Sequence, residues 1–356
     1  MPAPQNVAVP QTTGAVASAV DRVRERLDRL ARAGAGAALR GTSVDALWRE
    51  IARTVTDGKL IRPAMLLAVV ARSDRGVDDD AIDLAAAIEL LHKAFLLHDD
   101  VIDHDTVRRG APNLIGRFSR GEDEASGGHP SVTRGEAAGI LAGDLLLASA
   151  HDLVARLDVP APLRNRLLDD LAEALQWSVA GELDDVSFAA NGERPDAARV
   201  AEMLHAKTGA YTVRLPLQWG FALSGAAPDA GAIERYSRAV GLAFQIQDDL
   251  LGLFGDPELV GKDRHSDLRE GKVTAVIAHA YGTADWPRIE AALGTALLDP
   301  AEGDAIIALL DGGGARASAE SDLAGAIDAA RAAARELTPF DDVLGGIVDS
   351  IEGRRG

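Results

Sequence analysis

The chain has 356 residues, with 37 Lys and Arg against 55 Asp and Glu, giving a formal net charge of −18 at pH 7. That acidity argues against nucleic acid or an anionic membrane as partner, because both need basic surface; the absence of cysteine removes disulfides, thiolate metal sites and cysteine nucleophiles. With 47% hydrophobic and 26% charged residues, the composition suits a globular protein with a large core and excludes a disordered chain.

Residues 1–16 carry Pro, Gln and Thr but neither the basic nor the apolar segment of a signal peptide, and read as a flexible arm. Residues 17–356 read as one domain. Ile82, Ala85, Ala86, Leu90 and Leu97 recur at three- and four-residue spacing, which predicts a helix over 81–98. The same spacing, in segments rich in the helix formers Ala and Leu, predicts helices over 139–157, 161–179, 200–223 and 232–254. Loop signals fall at 119–133, 191–195, 225–229, 255–272 and 311–316, and none resembles an interdomain linker. No alternating strand pattern is found, so the expected fold class is all-α, a single-domain bundle of about ten or more helices. No run reaches about 18 uncharged apolar residues, which predicts a soluble, cytoplasmic protein without stable membrane insertion. Helices that are apolar nearly all round, as over 139–150, need other helices or a second subunit around them.

Two acidic clusters close two of these apolar helices. In His98-Asp99-Asp100-Val101-Ile102-Asp103, Asp99 and Asp103 share a helix face, where like charges repel. A hard divalent cation with oxygen ligands relieves that repulsion, and Mg²⁺ is the usual choice where phosphates share the site. The second cluster, Phe244-Gln245-Ile246-Gln247-Asp248-Asp249, ends the helix predicted over 232–254. Two such pairs converging from opposite walls would hold several metal ions. Basic residues punctuate them: Lys59 and Arg62, Arg108 and Arg109, Lys207, then Lys262 and Lys272. In a chain short of cations this placement suggests phosphate ligation.

In order, the segments GKLIRP, ELLHKAFLLHDDVID, RRG, GELDD, KTG, FQIQDD and GKDRHSDLREGK span residues 58–272 and resemble the trans-isoprenyl diphosphate synthase (polyprenyl synthetase) family, in particular its geranylgeranyl diphosphate synthases. The resemblance implies a helical bundle of the isoprenoid synthase type with a central apolar cavity, a homodimer, and Mg²⁺ as cofactor, three ions in all. It implies a Mg-dependent trans-prenyltransferase that condenses isopentenyl diphosphate with dimethylallyl, geranyl or farnesyl diphosphate. Position by position, Asp99, Asp100 and Asp103 match the first metal-binding motif, and Asp248 and Asp249 the second. Arg108, Lys207 and Lys262 match residues on the allylic diphosphate. Lys59, Arg62, His92 and Arg109 match the pocket for isopentenyl diphosphate. Thr208 and Gln245 match polar residues that line the reaction centre, and Lys272 matches a basic residue in the loop that closes over it. A lone His on an apolar helix is ordinarily structural; His92 stands two helical turns before Asp99 on the same wall, which together with the family match makes it a substrate residue. Gly252 stands where many members carry a third aspartate, and Glu182 where a glutamine is common, while Asp185 keeps its place.

The implied reaction begins with ionisation of the allylic diphosphate, so it needs stabilisation of a departing polyanion rather than a nucleophilic side chain. Asp99, Asp100, Asp103, Lys207 and Asp248 would carry that step. The depth of the apolar pocket beneath the first aspartates would set product length, with Ala94 as floor, Phe95 beside it, and Leu91 and Ile88 lower down. Ala94 leaves room for a twenty-carbon product, geranylgeranyl diphosphate; farnesyl and longer chains are the alternatives. A class I terpene cyclase has no second substrate to occupy Lys59, Arg62 and His92, and a non-catalytic synthase partner would generally have lost aspartates that this chain keeps.

Overall fold

The structure is a computed structural model that describes residues 14–37, 40–108, 110–119, 132–256, 263–295 and 297–353. Most of the arm over 1–16, Arg109, most of the loop over 119–133, and Lys262 lie outside the described residues. Among the described residues the chain is helical, apart from one two-stranded hairpin. It divides into two compact units. One takes the residues up to Asp170 together with Pro216–Ala227; the other takes Leu171–Leu215 and the residues from Pro228 onward. The division at Asp170 falls inside a helix, so no linker signal marks it in the sequence.

In the first unit, α1 (Gly14–Ala37), α2 (Ser43–Thr54), α3 (Ile61–Val70), α4 (Asp79–Ile102), α5 (Leu114–Ser119) and α6 (Val132–Ala155) pack around α4. Asp78 starts α4 by accepting from the Ala81 N–H at 3.0 Å, with Asp79 and Asp80 in the positive first turn. The middle of α4 is buried on nearly every side, from Ala81 to Leu91, because α1, α3 and α6 each cover part of it. α3 tolerates Pro63 because the proline lies in the first turn, where its missing N–H has no partner to lose. The strands β1 (Val107–Arg108) and β2 (Ala111–Pro112) form an antiparallel hairpin after α4, too short for an alternating pattern to signal. The stretch Arg134–Ala155 is long and apolar enough to cross a membrane by length and composition, although Glu136, Asp144 and Asp152 interrupt it and it is no uncharged run. Its inner face is buried against α4 and α5, while Ile140 and Leu141 stay exposed.

In the second unit, α7 (Ala161–Asn191, from Leu171), α8 (Ala197–Leu204) and α10 (Ala230–Phe254) frame the site-bearing segments. The single helix expected over 200–223 is three segments: α8, a π-helical stretch His205–Arg214, and α9 (Leu215–Ser224). A π-helical stretch widens the turn and re-aims side chains, and such stretches recur at functional sites. α10 packs on this stretch and on the helix Ala315–Glu336, and Asp229 starts it by accepting from the Ala232 N–H at 2.8 Å. The loop expected over 255–272 contains a short helix, Ser266–Glu270.

Candidate active site

Asp99 and Asp100 occupy the last turn of α4, and Asp103 is its C-cap residue, donating its N–H to the Asp99 carbonyl at 2.8 Å. Asp100 is buried; Asp99 and Asp103 are half-buried. The hairpin folds Arg108 back onto them. Its Nε donates to Asp100 Oδ1 at 2.9 Å, Nη2 donates to the same oxygen, and Nη2 lies 3.6 Å from Asp99 Oδ2. Burial pushes the Asp100 carboxyl up, against the pull of Arg108. Arg108 is itself raised: burial opposes its charge, and Asp100 outweighs that. Asn113 organises the return by donating its amide to the Asp105 carbonyl at 2.7 Å and accepting from the Gly116 N–H at 2.9 Å.

One, two and three turns back along α4, Ala94, Leu91 and Ile88 are fully buried, and Phe95 is half-buried. His92 is half-buried on the same helix; Lys59 is exposed and Arg62 half-buried at the entry to α3.

In the second unit glycines bring backbones close. A Cβ at Gly181 on α7 would lie 2.1 Å from the Lys207 backbone nitrogen, and one at Gly241 on α10 would lie 3.0 Å from the Gly209 Cα. The π-helical stretch is thus seated against both helices. The seating places Lys207 Nζ 2.7 Å from Asp185 Oδ2 and 3.0 Å from Glu182 Oε2. Thr208 is half-buried beside it. His205, on the same stretch, is buried, with Nε2 3.2 Å from Glu234 Oε1 and its ring edge-on to Trp177.

At the end of α10, Asp248 is half-buried and Asp249 buried. Gln245 Nε2 donates to Asp249 Oδ1 at 3.0 Å, and the Ala275 N–H donates to Oδ2 at 3.1 Å. Burial, and then the nearby charge of Asp267, push the Asp249 carboxyl up to about 7, against the pull of those two hydrogen bonds. Asp267 also lies where the motif is short of a carboxylate: its Oδ2 is 3.6 Å from where a Cβ at Gly252 would stand. Sequence reading passed over Asp267, although it sits inside the GKDRHSDLREGK segment. Lys272 pairs with Glu270 at 2.8 Å.

Among the described residues no group of three acidic, imidazole or thiol side chains is already gathered to hold a metal ion. The donor chemistry nevertheless fits a hard divalent cation: carboxylate oxygens throughout, and in Asp249 a carboxyl raised first by burial and then by the charge of Asp267, which a cation would offset. Within each unit a basic side chain rests on carboxylates, Arg108 on Asp100 and Lys207 on Asp185 and Glu182.

The chain is thus an all-α protein whose apolar helices α4 and α10 end in aspartate clusters, with lysine and arginine paired to carboxylates in each unit. Residues 45–309 match the polyprenyl synthetase family, and the chain belongs to that family. It is 35% identical over 278 residues to the (2E,6E)-farnesyl diphosphate synthase of Mycobacterium tuberculosis, covering 74% of this chain and 70% of that one. It is 33% identical over 233 residues to the short chain isoprenyl diphosphate synthase of Methanocaldococcus jannaschii. That match covers 64% of each chain, so the chain spans a little under two thirds of this relative's length. A solved geranylgeranyl pyrophosphate synthase from Corynebacterium glutamicum, complexed with isoprenyl diphosphate and magnesium, superposes with a TM-score of 0.86 at 26% identity, covering 97% of this chain and 100% of that one. The fold is therefore the all-α isoprenoid synthase fold.

Proposed function

We propose that the chain is a Mg-dependent trans-prenyltransferase that condenses isopentenyl diphosphate with an allylic diphosphate, and that residues 17–356 act as its catalytic domain. The observation that carries the reading is Lys207: an ammonium held between Glu182 and Asp185 on a π-helical stretch, on the same α10-packed framework as Asp248 and Asp249. Asp99, Asp100 and Asp103 would hold metal at the end of α4, and Asp248 and Asp249 at the end of α10. Bound Mg²⁺, three ions by the family pattern, supplies Lewis-acid stabilisation of the departing pyrophosphate.

Arg108, Lys207 and Lys262 bind the allylic diphosphate and stabilise charge developing on its oxygens as the C–O bond breaks. Arg108 and Lys207 give up their carboxylate partners for that anion, so neither charge is left unpaired. Lys59, Arg62, His92 and Arg109 hold isopentenyl diphosphate with its double bond at reacting distance from the allylic cation. Thr208 and Gln245 line the reaction centre, and Gln245 also fixes Asp249. The proton lost after bond formation passes to the released pyrophosphate. Lys272 and its loop exclude water, which would trap the cation as an alcohol.

Ile88, Leu91 and Ala94, buried along α4, with Phe95 beside them, fit an apolar wall beneath the first aspartates; the small Ala94 as its floor makes geranylgeranyl diphosphate the product we favour. The names of the relatives span farnesyl and geranylgeranyl products, which makes length the finer point to settle by assay. The exposed apolar residues Ile140 and Leu141 on α6, and Val179, Leu183 and Val186 on α7, support a homodimer. The test is incubation with isopentenyl diphosphate and each allylic starter, with Mg²⁺ or with chelator, followed by sizing of the product. A chain that releases no pyrophosphate and makes no longer prenyl chain under any of these conditions would overturn the reading.

A further inference from the structure

The loop that presents Lys59 and Arg62 is gripped from behind. Arg24 on α1 donates through Nη1 to the Thr56 carbonyl at 2.6 Å and through Nη2 to the Gly58 carbonyl at 2.9 Å. Lys93 on α4 donates through Nζ to the intervening Asp57 carbonyl at 2.6 Å. Three successive carbonyls are thus each held by a cationic side chain from a neighbouring helix. The loop then crosses the left-handed region twice, at Gly58 (φ +102°) and at the buried Leu60 (φ +49°). A non-glycine residue keeps that conformation only where its surroundings enforce it.

The cations have a counter-charge of their own. Glu89, only 2% exposed, lies one turn before Lys93 with Oε1 3.7 Å from Nζ. Burial pushes its carboxyl up, and Lys93, Arg62 and Arg24, in that order, pull it back. A carboxylate this deep is costly unless it is paired, and here its pairing partners are the two cations that hold the loop and one that the loop presents.

We propose that Arg24 and Lys93, charge-balanced by Glu89, are positioning residues that fix the spacing of Lys59 and Arg62 and so set the affinity for the diphosphate those two bind. The assignment rests on the reading of Lys59 and Arg62 as the isopentenyl diphosphate pocket. Arg24 and Lys93 touch carbonyls rather than substrate, so their effect is confined to one of the two substrates. The carbonyl grip also distinguishes them from ordinary surface pairs: removing either frees backbone of the loop, and removing Lys93 leaves Glu89 without its nearest cation as well.

The experiment compares Arg24→Met, Lys93→Met and the conservative Arg24→Lys with the wild type, measuring KM for each substrate, kcat and Tm. The Met variants should raise the isopentenyl diphosphate KM roughly 10- to 100-fold while the allylic KM stays within about twofold, and Arg24→Lys should recover part of the loss. If Arg24→Met does not fold, Glu89→Gln, which keeps shape and loses charge, should give the same one-sided KM change on a smaller scale. Equal changes in both KM values, or none, would overturn the proposal. A folded wild type that makes no product would sink the functional reading instead. Calorimetric titration with isopentenyl diphosphate, with no allylic diphosphate present, then reads the cradle directly: weaker binding in Arg24→Met sustains the positioning role, and unchanged binding overturns it.

Discussion

Arg108 lies on the buried carboxylate of Asp100, its Nε 2.9 Å from Oδ1, so the aspartate cluster that ends α4 and the guanidinium that follows it pair within a single hairpin return. Substituting Arg108→Gln strands a buried carboxylate. We expect a stability loss of about 2–3 kcal/mol and a fall in kcat of about 10²-fold. Asp100→Asn should lose comparable activity with a smaller change in Tm, since the remaining guanidinium has 30% exposure and can turn to water. Thermal denaturation alongside steady-state kinetics separates the two.

Lys207 is shared by Glu182 and Asp185. Lys207→Met should lower kcat by about 10²-fold or more, because the ammonium would act on charge that develops in the transition state. Glu182→Gln removes one of two competitors for the same ammonium and should lower the allylic KM about threefold, the size expected of a partly screened ion pair. A higher allylic KM in Glu182→Gln would show that the carboxylate itself is needed.

Chelation should abolish condensation, and added Mg²⁺ should restore it where an equal ionic strength of NaCl does not. Pyrophosphate release is the readout. Full turnover in excess chelator would remove the metal from the scheme.

His205 is buried among Glu234, Glu202, Arg238, Arg214 and Trp177. Burial, followed by Arg238, holds its pKa below the ordinary value, against the pull of Glu234 and Glu202. The unfolded chain therefore takes up a proton at about pH 6.5 while the folded chain does not, and stability falls as pH drops through and below that value. A Tm series from pH 7.5 to 5 should show a steeper decline for wild type than for His205→Gln. Parallel curves would mean that His205 is not the group responsible.

Ala94→Phe should shorten the product by at least one five-carbon unit, because a buried position with no free exposure cannot take a ring without filling the space beneath it. Chromatography of the dephosphorylated products reads this directly. An unchanged distribution would exclude Ala94 from the floor.

Much of this was legible in the sequence, and the remainder was hidden for definite reasons. The apolar periodicity of α4 and α10 and the aspartates that end them are local signals, read correctly from spacing alone. The π-helical stretch was not, because its apolar positions pass for ordinary helix and nothing in HAKTGAYTVR announces a widened turn. Residue type declares a charge but not the group it faces: Arg108 was assigned to a diphosphate without sight of Asp100, and Lys207 without sight of Asp185. Arg24 was invisible as a loop clamp for the same reason, since its partners are carbonyls, which carry no sequence signature. The two-unit division was hidden because it cuts a helix, leaving no change of composition behind.

Gly181 and the facing pair Gly209 and Gly241 contribute nothing but the lack of a side chain, and that lack decides where an ammonium stands. A methyl group at 181 would meet main-chain atoms, which cannot rotate aside. Swapping one hydrogen for one carbon there would force one backbone off the other, lowering the thermal transition and moving Lys207 in the same step. Mutational tolerance along this seam is governed by ångströms of rod-to-rod clearance, so an engineer who stiffens these helices with alanine would be retuning the enzyme's grip.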